Sequence, residues 1–272
     1  MGPLVGSQEG LKAEREKGID EPLSGLVRKQ FAARSPIYDR VSAWISDPGL
    51  LGCFTRLCRK PADAVLLDVC CGTGMVGGAF KGRVARRVGV DLSPAMLDRA
   101  RARLDDCRQG SIERLPFEDA SFDVATMRQA LHFVPDPARA LGEIARVLKP
   151  GGQILLGHRV PYGDADAAWW ARVNAAKQPL LKNAFVEGNL RKLLADAGFE
   201  LRESVDYHLY ESISRWTDSP EARPMAERVF ALYRDASPEI VRLRGIEMDG
   251  ADIRDRWRWL ILSGEKPAAG TP

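Results

Sequence analysis

Cysteine and histidine are scarce in this 272-residue chain: five cysteines (Cys53, Cys58, Cys70, Cys71, Cys107) and three scattered histidines (His132, His158, His208). The cysteines are odd in number, and the adjacent Cys70 and Cys71 lie in an apolar segment, which argues for reduced thiols over a spaced disulfide framework. Paired CxxC sites and closely spaced Cys/His sets are missing, so no metal site is expected. An excess of one charge is missing too. Lysine plus arginine number 40 against 37 acidic residues, and a formal charge of +3 gives little long-range attraction for nucleic acid or an anionic membrane. No apolar run approaches the roughly 18 residues of a spanning helix. Residues 1–22 mix charges with Gly2, Pro3, Gly6, Gly10, Gly18 and Pro22 and lack the apolar core of a signal peptide. These absences predict a cytoplasmic protein without membrane insertion, with a flexible tail over residues 1–25. No repeat or low-complexity segment is evident.

What is present is a globular balance, 45% hydrophobic and 28% charged, in a regular order. Leu26 to Leu57 reads as short helices broken at Ser35-Pro36 and Asp47-Pro48. Ala64 to Val69 is a compact apolar run that suits a buried parallel strand, followed by a glycine loop and a helix from Met75. Arg87 to Asp91 is a second strand, and Pro94 starts a helix running to Leu104. Phe122 to Met127 and Gln153 to Gly157 are further strands, separated by a helix from Pro137 to Leu148 and a turn at Lys149 to Gly152. Such alternation predicts an α/β fold with a seven-stranded, mostly parallel, Rossmann-like sheet and helices on both faces. The core is expected over 26–160. The rest, 161–272, holds the remaining strands, with a helical insertion at about 216–256, before the last strand.

Glycines directly after a buried strand let backbone approach a ligand, and the helix that follows offers free N–H groups. Gly72, Gly74 and Gly77 satisfy GxGxxG, a pattern that alone suits a dinucleotide enzyme equally well. Asp91, 19 residues after Gly72, is placed to accept from ribose hydroxyls. Asp68, four residues ahead of Gly72, would repel a pyrophosphate but accommodate an amino group, so a sulfonium ligand with an ammonium group fits better.

The stretches VLLDVCCGTG (65–74), VGVDLSPAMLDRARARL (88–104), GSIERLPFEDASFDVATMRQALHFV (110–134) and ARALGEIARVLKPGGQILL (138–156) together resemble the class I S-adenosylmethionine-dependent methyltransferases. The likeness is greatest to the group containing the quinone-biosynthesis C-methyltransferases and many small-molecule enzymes. It covers roughly Leu26 to Leu156. It implies that Asp68, Gly72 and Gly74 surround the methionine part of the cofactor. Asp91 would take the ribose hydroxyls, Leu92 and Met96 would lie beside the adenine, and Ser111 and Ile112 would flank its ring. Tyr38 would close over the cofactor, and Arg128 would stand near the cofactor's carboxylate. Two departures are visible: Cys70 stands where the family usually has its first loop glycine, and Ser111 replaces the commoner aspartate facing the adenine amino group.

The resemblance predicts an enzyme that moves methyl from S-adenosylmethionine to an O, N, C or S atom of a small molecule, releasing S-adenosylhomocysteine. The acceptor is expected to be aromatic, quinone-like or a secondary metabolite. Its identity would reside in the insertion, built as a lid. Any base it needs is sought in His132 and His158, placed just beyond the strands Phe122 to Met127 and Gln153 to Gly157, since imidazole titrates near neutrality. Trp169, Trp170, Trp216, Trp257 and Trp259 are candidates for an aromatic pocket or simply for core. A nicotinamide-dependent oxidoreductase shares the glycine loop and Asp91, and a protein that binds S-adenosylmethionine without methyl transfer also fits. Neither an NPPY-like tetrapeptide nor a basic stripe points to nucleic acid. The chain is expected as a monomer or homodimer.

Overall fold

A computed structural model describes residues 21–268, so most of the tail expected over 1–25 lies outside the described residues. Helix α1 (Glu21–Arg34) leads through single turns at Tyr38–Arg40 and Ala43–Ile45 into α2 (Pro48–Leu57). The break expected at Asp47-Pro48 is a helix start: the Asp47 carboxylate accepts from Leu50 N at 2.7 Å, and Pro48 takes the first helical position. Then come β1 (Val65–Val69), α3 (Met75–Gly78), β2 (Arg86–Asp91), α4 (Pro94–Ala100), β3 (Asp106–Gln109), β4 (Phe122–Arg128), α5 (Pro137–Val147) and β5 (Leu148–Val160). The C-terminal part contains α6 (Asp164–Lys177), α7 (Glu187–Asp196), β6 (Glu200–Ser212), α8 (Ile213–Thr217), α9 (Ala226–Arg234), α10 (Pro238–Arg244), β7 (Glu247–Asp249) and β8 (Asp252–Glu265).

The strands form one sheet in the order β3-β2-β1-β4-β5-β8-β6, with β7 paired to β8. Strands β1 to β5 pair in parallel, whereas β8 runs antiparallel to β5 and β6. The α/β class and mostly parallel sheet are as expected. The strand count is eight instead of seven, because three residues after α10 fold back on β8.

Strands buried on both faces explain the unbroken apolar runs. Leu66, Val124, Leu155 and Ile261 point to one face, packed with Phe54 of α2 and the tryptophans of α6 and β8. Their neighbours Leu67, Ala125, Leu156 and Leu262 point to the other, against Ile144 of α5 and Leu190 of α7. Close approach sets one detail: a Cβ on Gly157 would lie 2.4 Å from Phe54 Cζ, so α2 rests on β5 only because residue 157 has no side chain.

Helix α4 stops at Ala100, short of the expected Leu104. The leucine instead drops into a slot where Cβ atoms on Gly74, Gly77 or Gly89 would meet it at 3.1, 2.7 and 2.5 Å. The helices of the insertion end at Arg244, and residues 252–256 already belong to β8. Arg244 is buried and pairs with Asp166 of α6 and Asp255 of β8, each at 2.7 Å, while Tyr233 donates to Asp255 at 2.7 Å. The insertion is therefore tied to the sheet by a buried ionic knot.

Candidate active site

Parallel strands deliver their carboxyl ends to one edge of the sheet, and there β1 and β2 place two acids around the loop 70–74. Asp68 is 2% exposed, with Oδ2 accepting from Gly77 N and Oδ1 from the Thr126 hydroxyl, both at 2.9 Å. Burial pushes its pKa up to about 7, against the pull of those bonds. Asp91 accepts from Gly72 N at 2.8 Å and Ser93 N at 2.9 Å, and burial raises its pKa as well. Each carboxylate oxygen keeps a lone pair beyond these bonds, which leaves acceptors for a ligand's hydroxyl or ammonium protons. Cys70 has φ 52, a left-handed backbone that glycine adopts without penalty and cysteine does not. The residue that departs from the family pattern thus holds a backbone suited to glycine.

A cavity of about 850 Å³ with its open mouth is bordered by Tyr38, Gly72, Asp91, Leu92, Ser111, Ile112 and Arg128, all seven expected from the sequence. Asp68 borders an adjoining recess of about 320 Å³ that shares Tyr38, Cys70, Gly72 and Arg128 with it. Two expected residues border neither space. Gly74 packs against Ala100 and Leu104, and Met96 is fully buried in α4. Ser111 Oγ accepts from Glu113 N at 3.2 Å, closing a short turn beside the cavity.

Arg128 donates to the carbonyls of Trp44 and Ile45 at 3.1 and 2.9 Å, its guanidinium 4.9 Å from the Trp44 ring centre. Burial draws its pKa down to about 10, and among the described residues no carboxylate pairs with it. That is a fitting place for the carboxylate of an amino-acid ligand, with Asp68 opposite for its ammonium. The Tyr38 ring stands over Gly72, 3.8 Å from where a Cβ would be. Sequence reasoning missed the wall made by α1, where Leu23, Val27 and Phe31 border the cavity. Phe31 packs edge-on against Tyr38 and Phe133, with ring centres 6.1 and 5.4 Å apart. It also missed Gln129, whose φ of 53 turns the chain at the end of β4.

Beyond Gln129 a second space of about 970 Å³ is bordered by His132, His158, Arg159, Trp170 and Phe185. His158 lies within β5, not past its end, and its Nδ1 is 2.7 Å from the Arg159 carbonyl. Only a protonated Nδ1 can bond that oxygen, so Nε2 is the acceptor for His132 Nδ1, 3.3 Å away. Burial holds His158 at about 4 and His132 well below its ordinary value. Burial thus favours the neutral form of both rings, and in this arrangement both nitrogens of His158 are engaged, by Arg159 and by His132. The five candidate tryptophans are all buried. Trp170 alone among them borders the second space, and Trp216 a smaller one beside it.

A parallel sheet, a glycine turn and two acids at adjacent strand ends define an α/β enzyme that binds a nucleoside-bearing ligand. A family model described as a methyltransferase domain matches residues 67–156. The demethylmenaquinone methyltransferase of Clavibacter sepedonicus is 29% identical over 242 residues, 79% of this chain and 91% of that protein. The 2-phytyl-1,4-naphtoquinone methyltransferase of Trichormus variabilis is 35% identical over 159 residues, 50% of this chain and 67% of its own. Against other curated relatives the match spans only 44 to 58% of their length. Among solved structures, a candidate methyltransferase of Bacillus halodurans superposes with TM-score 0.73 at 27% identity, covering 80% of this chain and 99% of that one. The [4+2]-cyclase SpnF shares the fold at TM-score 0.61 and 22% identity, covering 90% and 97%. The chain belongs to the class I S-adenosylmethionine-dependent methyltransferases.

Proposed function

We propose that this protein transfers a methyl group from S-adenosylmethionine to a small aromatic or quinone-like acceptor and releases S-adenosylhomocysteine. The observation that carries the reading is that Gln129 borders the cavity at Asp91 and Arg128 as well as the aromatic inner spaces behind it. The names of the quinone methyltransferase relatives support the acceptor class. No relative reported above is a nicotinamide enzyme, and the Asp68 carboxylate favours an ammonium over a pyrophosphate.

When bound, the sulfonium supplies an activated methyl carbon. The protein's work is alignment and exclusion of water. Asp91 holds the ribose by its spare lone pairs, Leu92 and Ile112 supply apolar surface for the adenine, and Ser111 stands beside it. Asp68 and Arg128 fix the two ends of the amino-acid moiety. Tyr38, Phe31 and Phe133 wall the junction where the acceptor must stand. His132 and His158 stay neutral and set the shape of the inner space. A base with so low a pKa favours an acceptor that needs no strong base to become nucleophilic.

Titration calorimetry with S-adenosylmethionine, S-adenosylhomocysteine and NADH, on the wild type and Asp91→Ala, tests the cofactor. A screen of phenols and quinols for S-adenosylhomocysteine release tests the transfer. Binding of NADH in place of both sulfur ligands would overturn the reading.

A further inference from the structure

The junction between the two spaces holds two buried cations that make no ion pair among the described residues. Arg159 of β5 is 6% exposed, its guanidinium 4.0 Å from the Trp257 ring centre and 5.0 and 5.3 Å from Trp170 and Trp216. Nη2 donates to Asn174 Oδ1 at 3.2 Å, but Nε and Nη1 have no partner among the described residues. Lys177, the last residue of α6, is 3% exposed with Nζ 4.8 Å from the Trp216 ring centre. Among the described residues it makes no hydrogen bond or ion pair. Arg34, also buried, is compensated by Glu221. Glu211 is occupied by the Ser42 hydroxyl and Ala43 N. Of these three buried cations, Arg159 and Lys177 make no ion pair among the described residues; Glu211 acts on both only from a distance, with Asp255 on Arg159 and Glu221 on Lys177.

A buried charge without a partner is costly, and a guanidinium with unbonded N–H groups adds the loss of its hydration. Such groups persist where something else completes them. Arg159, Lys177 and Gln178 border a chamber of about 400 Å³ that shares Phe31, Tyr38, Gln129 and Phe133 with the cofactor cavity. Resting on the methyltransferase reading above, we propose that Arg159 and Lys177 form a subsite for an anionic oxygen group of the acceptor, a carboxylate or a phosphate. The acceptor's ring then extends between the aromatic walls toward Tyr38, where the methyl arrives. Burial draws Arg159 down to about 10 and Lys177 far below its ordinary value, a cost that a bound anion relieves.

The test uses protein saturated with S-adenosylhomocysteine and three probes of one shape: benzoate, phenyl phosphate and neutral benzamide. Calorimetry should show at least one anion binding roughly tenfold or more tighter than benzamide, as expected for a buried charge-assisted site. The tighter of the two identifies the group. Lys177→Met keeps the chain length and removes a buried charge, so it should fold; it loses the preference for anions and keeps its affinity for S-adenosylhomocysteine. Lys177→Arg retains the preference, and Arg159→Gln loses it. Equal binding of benzamide and both anions overturns the proposal, as does a preference that survives in Lys177→Met and Arg159→Gln alike. A wild type that fails to bind S-adenosylhomocysteine overturns the methyltransferase reading instead.

Discussion

The Thr73 hydroxyl donates to Asp39 Oδ1 at 2.6 Å, and Arg103 holds the other oxygen at 2.9 Å. This bond fastens the turn that carries Tyr38 to the loop between β1 and α3. Asp39→Ala should therefore weaken S-adenosylhomocysteine binding about tenfold and cost about 1.5–3 kcal/mol of stability, the range for a hydrogen bond to a charged group. Calorimetry beside a urea melt separates the two effects. An unchanged affinity would show that Tyr38 is positioned without Asp39.

Asp68 titrates at about 7 in the folded protein because burial outweighs its hydrogen bonds. A cofactor ammonium needs the carboxylate, so affinity for S-adenosylmethionine should rise as pH goes from 6 to 8. In Asp68→Asn, binding should be weaker and flat with pH. For the ligand-free protein the sign reverses. The folded pKa lies above the unfolded 3.8, so this group's contribution to stability is complete below pH 4 and is lost as pH rises toward 7. A wild-type affinity that does not vary between pH 6 and 8 contradicts the account.

The two histidines act oppositely. Unfolded imidazoles titrate near 6.5, whereas burial, helped at His132 by its neighbour His158, holds both lower in the folded state. Their contribution is complete above pH 6.5 and is lost as pH falls toward 4, where the unfolded chain binds protons that the folded one refuses. Replacing both by Gln should flatten the dependence of stability on pH between 7 and 5 relative to wild type, measured by urea melts across that range. An identical slope rejects this.

Cys70 holds a left-handed backbone that costs roughly 1 kcal/mol for a residue with a Cβ. Cys70→Gly should be neutral to slightly stabilising, since relief of strain offsets the greater entropy of unfolded glycine. Cys70→Val should be worse than wild type by about 2 kcal/mol, because a β-branched residue resists this conformation further. Denaturant midpoints in the order Gly, Cys, Val confirm the argument, and Val equal to Cys refutes it.

Arg244 separates two fully buried carboxylates, Asp166 and Asp255. Arg244→Met should cost about 3–5 kcal/mol by leaving both uncompensated. Cleavage within 213–244 by a dilute protease should accelerate, since α6 and β8 no longer grip the insertion. A loss below 1 kcal/mol would show the knot to be ornamental.

The sheet and most of the residues that border the cavity were legible because their signals are local. A strand buried on both faces reads as an apolar run, as at Val65 to Val69, and the acids Asp68 and Asp91 stand out near the carboxyl ends of their strands. The C-terminal strand was legible only at Trp257 to Leu262, since its first half alternates Arg254, Arg256 and Arg258 with inward residues. Strand β7 was invisible: Glu247, Met248 and Asp249 are all exposed, and only their pairing with β8 makes them a strand. Met96 and Gly74 sit in matching blocks, yet Met96 is fully buried in α4, Gly74 packs against Ala100 and Leu104, and neither borders the cavity. The inner chamber could not be read at all. Phe31, Gln129, Arg159 and Lys177 come from four distant segments, and only folding makes them neighbours.

Phe31 of α1 rests on Tyr38 and Phe133 at once, so one wall of the cofactor cavity is a helix outside the sheet. On the proposed function, the residence time of the spent cofactor is coupled to how often those rings part. Changes along α1 then act on the frequency of turnover while leaving the geometry of the reacting atoms as it was.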